Sequence, residues 1–152
     1  AVILAVDPGT TESAFVLYAP DVRELVEIGK WRNERLLTYL RIHSHGLLVV
    51  ERMAGYGMAV GAEVLETCWW AGRFAEARGG VAERVFRRDV KRHLLGKVTG
   101  NDAQVRAALI RLFGGPAATK RGGPLHGVVG DIWAALGVAV TYAASAAEER
   151  AA

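Results

Sequence analysis

Three carboxylates stand where apolar runs begin or end. Asp7 closes the run Val2–Val6, Glu51 closes Leu47–Val50, and Asp131 opens IWAALGVAVTYAASAA. Adjacent parallel strands lie about 5 Å apart, so acids at neighbouring strand ends can meet, and a helix packed over that sheet can deliver a third. Such a cluster repels itself and is costly to desolvate, so it calls for cations. Hard oxygen donors suit Mg²⁺ or Mn²⁺. Two such ions about 3.5–4 Å apart activate a water and stabilise the leaving oxygen in phosphodiester hydrolysis. Each acid also has a plainer reading as a turn or helix cap. That applies most to Asp131, because the helix dipole favours an acid in a first turn.

The elements that position these acids follow from periodicity. The continuous apolar stretch Val2–Val6 reads as a strand buried on both faces. Pro8 keeps Asp7 extended, Gly9 permits a tight turn, and Thr10, Thr11 and Ser13 place hydroxyls around it. Ala14–Tyr18 returns as a second strand, and Val22–Lys30 reads as a third, completing a meander. Asn33 is the expected N-cap of a helix to about His43, with Leu36, Leu37 and Leu40 on its apolar side. Leu47–Val50 is a second buried strand. Gly61 to about Arg78 is helical, with Val64, Leu65, Cys68, Trp69 and Gly72 on one side, and Ala82–Phe86 is a short strand. Asp89 is the expected cap of a helix Val90–Leu95, and Asn101 of another to about Phe113. Gly114–Gly127 is a long Gly- and Pro-rich loop before the last helix. Three strands before the first helix imply antiparallel pairing, and the later alternation implies parallel pairing with right-handed crossovers.

With 152 residues, half of them apolar, the chain reads as one α/β domain spanning 1–152 with a proper core. Neither a signal peptide nor a membrane span is expected, and the single cysteine, Cys68, fits a reducing cytoplasm. The net charge of +3 hides an uneven distribution. Arg84–Arg121 carries ten Lys or Arg against two acids, Asp89 and Asp102. Such a segment is either a solvated basic surface or the complement of a polyanion. Arg87, Arg88, Arg92, Lys97, Lys120 and Arg121 are the expected backbone contacts to nucleic acid. Arg52, Met53 and Tyr56 are candidates to press on unpaired bases, with Tyr56 equally readable as ordinary loop packing.

Other candidates carry less. His43 and His45 lack further ligands for zinc and read as a solvated helix end. His93 sits among basic residues, facing DNA or solvent. Cys68 reads as a buried structural thiol. Gly55 and Gly57 lack the Lys-Thr or Lys-Ser of a phosphate loop. Of Trp69 and Trp70, one belongs to the core and the other to a partner surface.

The order of elements resembles the RNase H-like fold, a mixed five-stranded sheet of a three-strand antiparallel meander plus two parallel strands, flanked by helices. VILAVDPGTTESAFVLY resembles the opening strands of RuvC-type Holliday junction resolvases, and LLVVER their second acidic strand end. DVKRHLLGKVTGNDAQVRAAL resembles their basic helix and the capped helix after it, and DIWAALGVAV their final acidic helix. GAEVLETCWWAGRF and Gly123-Pro124-Leu125 are most similar to the phage-encoded branch. The resemblance implies a homodimeric endonuclease that nicks branched DNA in pairs, dimerising through the region of the Gly61–Arg78 helix. It implies Asp7, Glu51 and Asp131 as ligands of two Mg²⁺ or Mn²⁺ ions, with Asp7 bridging both. Lys91 would sit at the scissile phosphate, and no small-molecule cofactor is expected. The sequence departs at one point, because Ala134 stands where the family carries a fourth acid. Either three carboxylates suffice, or a group such as His126 or Asp102 fills in.

Two other readings compete. The absent acid suits a junction-binding protein that does not cut. Asp-x-Gly-Thr-Thr also opens actin-like ATPases, but those need a duplicated domain and a second phosphate loop that GVVGDIW does not supply.

Overall fold

The computed structural model describes residues 1–152. Its sheet is built from β1 (Ile3–Asp7), β2 (Glu12–Ala19), β3 (Glu24–Arg32), β4 (Leu47–Arg52) and β5 (Glu83–Phe86), in the order β3-β2-β1-β4-β5. β1, β2 and β3 pair antiparallel, while β4 lies parallel to β1 and β5 parallel to β4. The helices are α1 (Asn33–Ile42), α2 (Ala62–Ala77), α3 (Arg87–Leu95), α4 (Asp102–Leu112) and α5 (Ile132–Ala151). This is the mixed five-stranded sheet expected from the sequence. No helix is long and apolar enough to cross a membrane.

Strand alternation divides the core into two layers. Leu4, Val6, Phe15, Leu17, Leu48 and Val50 face α1 and α2, where Leu36, Leu40, Trp70 and Phe74 cover them. Ile3, Ala5, Ala14, Val16, Val49 and Val85 face α5, which buries Ala135, Leu136, Ala139 and Val140 against them. Each fully buried large side chain contributes about 1.5–3 kcal/mol from its apolar area. α3 is drawn onto α5 at Gly137, where an added Cβ would stand 2.9 Å from Val90 Cγ1.

A buried polar network braces the turn after Asp7. The Gly9 N–H donates to Ser13 Oγ (3.1 Å), Ser13 Oγ donates to Asn33 Oδ1 (2.6 Å), and Asn33 Nδ2 donates to the Gly9 carbonyl (2.9 Å). A side chain at Gly9 is excluded, because its Cβ would stand 2.3 Å from the Glu12 carbonyl oxygen. Asn33 is therefore not the N-cap expected from its type. Arg32 holds that place, and Asn33 is fully buried as a tie between α1 and the hairpin. We expect Asn33→Ala to cost about 1–3 kcal/mol, since it orphans Ser13 and Gly9 together. Thermal unfolding checks this. A melting temperature within a degree of the parent contradicts it.

Three further expectations are corrected. α3 starts at Arg87, ahead of Asp89, which pairs with Arg92 (3.1 Å) instead of capping the helix. α2 buries Thr67, Trp70 and Phe74, so the stripe with Leu65, Cys68 and Trp69 faces outward and Cys68 is an exposed thiol. The segment Gly114–Gly127 is not all loop, because Pro116–Thr119 forms a 3-10 turn. Asn101 does cap α4, in a reciprocal box with Gln104.

Candidate metal centre

The register of β1 and β4 ends at Val6 opposite Val50, so Asp7 and Glu51 are the next residues of adjacent parallel strands. Both side chains share the parity of Ala5 and Val49 and so lie on the α5 face. Glu51 is buried, 7% exposed, and Asp7 is half-buried. Burial raises the Asp7 carboxyl to about 9, reinforced by the charge of Glu51 and by a hydrogen bond between the two. Burial likewise raises Glu51. Two carboxyls this close and this dry share a proton unless a cation replaces it.

Asp131 precedes α5 and is exposed. Its Oδ2 accepts from Lys30 Nζ at 2.8 Å, although its charge still bears on both Asp7 and Glu51. Lys30 is a site residue missed in the sequence. Asp7 pairs with Ala14 and Ala14 with Lys30, so the lysine lies on the same row and face as Asp7 with only a methyl between them. The Asp131 hydrogen bond, foremost, raises the ammonium's pKa. As arranged, Asp7 and Glu51 meet, Asp131 turns to Lys30, and no three His, Cys, Asp or Glu side chains converge on one ion position.

The fourth position is Ala134, one turn beyond Asp131, with its N–H bonded to the Asp131 carbonyl (3.1 Å). Of the two substitutes considered for the absent acid, Asp102 lies near enough for its charge to bear on Glu51. Asp102 is paired with Arg87, and His126 lines a groove along β3 beside Arg23 and Glu27.

Arg87 opens α3 directly after β5, and its positive charge bears on both Asp7 and Glu51. One guanidinium nitrogen bonds Asp102, while Nη1 is buried without a partner. Lys91 lies four residues on, above Arg87 on the same helix face, and is half-buried. Arg88 and Arg52 stand over the Phe86 ring at 5.3 and 4.9 Å, and Arg88 lies 5.2 Å from the Tyr56 ring. Tyr56 is exposed and left-handed (φ 49°), followed by Gly57 at φ 77°. Arg92, Lys97, Lys120 and Arg121 are exposed, the last two beyond the 3-10 turn on the approach to Asp131.

The donor set suits a divalent cation on two grounds. It is all carboxylate oxygen, and the buried Asp7–Glu51 pair carries a like-charge conflict that a hard cation would remove. No family model and no curated protein matches the sequence. Two of the solved structures that match its fold are of RuvC. Thermus thermophilus RuvC is 18% identical, with a TM-score of 0.71, over 98% of this chain and 97% of that one. T. thermophilus RuvC in complex with Holliday junction substrate is 17% identical, with a TM-score of 0.71, over 95% and 94%. The chain has a RuvC-like fold of the RNase H type.

Proposed function

We propose that this chain is a divalent-metal-dependent endonuclease that resolves four-way DNA junctions as a homodimer. The observation that carries the reading is the buried Asp7–Glu51 pair at adjacent parallel strand ends, within the fold of a protein whose related structure holds a Holliday junction. Asp7, Glu51 and Asp131 would hold Mg²⁺ or Mn²⁺, which supplies water activation and leaving-group stabilisation when bound. The protein's own groups bind and orient the strand. Lys91 and Arg87, stacked on one face of α3, offer cationic donors to the scissile phosphate. Arg88, Arg92, Lys97, Lys120 and Arg121 engage neighbouring phosphates, so affinity falls steeply with salt. Arg52 and Tyr56 lie on the strand-end loop beyond Glu51, where they can stack on unpaired bases.

Homodimerisation is supported by the outer face of α2, where Leu65 and Trp69 are 62% and 66% exposed. A two-fold dimer presents two sites to two symmetric strands. The likeness of the α2 sequence to phage-encoded enzymes supports membership of that branch.

The test is cleavage of a synthetic four-way junction beside linear duplex of the same arms, with Mg²⁺, Mn²⁺ or chelator. Metal-dependent nicks confined to the junction are expected. Tight junction binding without nicks under either metal would favour a non-cutting junction binder, with Ala134 as the cause.

A further inference from the structure

Lys30 and Arg87 place two fixed cations around three carboxylates. Arg87 acts on Asp7 and Glu51 from the β5 side. Lys30 holds Asp131 at 2.8 Å from the β3 side. The lysine's position is set by the sheet, because the register runs Asp7, Ala14, Lys30 across three strands, and Ala14 is small enough for the ammonium to reach over it. At the same end of the site, Ala134 offers no oxygen one turn after Asp131. A second ion beside Asp131 would have to displace the ammonium and would find no side-chain oxygen at Ala134 to hold it.

We propose that this site takes one divalent cation, at Asp7 and Glu51, and that the Lys30 ammonium occupies the place beside Asp131 where a second cation would bind, there contacting a phosphate oxygen. The inference deepens the nuclease reading and rests on it. Lys30 becomes a substrate-binding residue, and Asp131 its positioning residue more than a metal ligand. The Lys30–Asp131 pair is half exposed, so it adds little to stability, and its effect lies in where it puts charge.

Titration of the full chain with MnCl₂, followed by calorimetry and by electron paramagnetic resonance of free Mn²⁺, tests the assignment. Wild type is expected to bind one Mn²⁺ per chain. Lys30→Met, which keeps length and removes charge, is expected to admit a second Mn²⁺ and to lower junction cleavage about 10–100-fold at saturating metal. Lys30→Arg should retain the single-ion stoichiometry. Two Mn²⁺ in wild type would overturn the proposal while leaving the nuclease reading intact. So would Lys30→Met with unchanged stoichiometry. One ion in wild type and two in Lys30→Met, with no junction cut by either, would support the ion count and overturn the nuclease reading. No Mn²⁺ bound by wild type would overturn both.

Discussion

Asp7→Asn is expected to lower junction cleavage by about 10³-fold or more while leaving junction affinity within a few-fold of wild type. The asymmetry follows from where the residue sits. Asp7 is half-buried at the sheet end against Glu51, while Arg88, Arg92, Lys97, Lys120 and Arg121, which would bind the backbone, are exposed on other elements. Asn keeps the shape and one oxygen but removes the charge that would hold the cation. The measurement is single-turnover cleavage beside a binding isotherm in chelator. Retained cleavage would remove the metal-site argument, and lost binding would show that Asp7 acts through the fold.

The same pair predicts an unusual pH dependence of metal-free stability. The folded Asp7 carboxyl titrates near 9 and the unfolded one near 3.8, chiefly because of burial and then because of Glu51. Below the unfolded value both states are protonated and nothing is lost. Between the two values the unfolded chain gives up a proton that the folded chain retains, so stability falls as pH rises, levelling off above the folded value. In chelator, the melting temperature of wild type is therefore expected to drop by about 10 °C or more relative to that of Asp7→Asn between pH 5 and 9. Asp7→Asn should be the more stable protein at pH 8. Saturating Mg²⁺ should cancel most of the wild-type loss, since the cation takes the proton's place. Parallel melting curves for the two proteins in chelator would contradict the buried pair.

Much of the fold is legible in the chain because apolar strands that end in acids are local patterns. VILAVD and LLVVE identify both central strands and their carboxylates without reference to anything distant. What escapes a sequence reading depends on register or on rotation. Lys30 looks like the polar end of a third strand. Only the pairing Asp7–Ala14–Lys30 brings it to the site, and that pairing rests on two turns and on a one-residue register shift between β2 and β3 at Leu17/Tyr18. Counting along the two turns without that irregularity sets Gly29 opposite Ala14 and turns Lys30 to the other face. Asn33 has the right type for a cap, but burial beside Ser13 gives its amide a tertiary partner that overrides the local preference. In α2, apolar residues lie on several sides, so the pattern leaves open which face is inward. The structure turns Trp70 and Phe74 in and Trp69 and Cys68 out. Arg87 reads as one more backbone contact until β5 ends directly before it and sets it beside Asp7 and Glu51.

The most direct test of the nuclease account is to map nicks on a four-way junction with each strand labelled in turn, on denaturing gels, with Mg²⁺, Mn²⁺ or chelator. The account predicts metal-dependent cuts at symmetric positions on two opposed strands, and none on linear duplex or with Asp7→Asn. Cuts that persist in chelator or in Asp7→Asn, or a junction bound tightly and never cut, would contradict it.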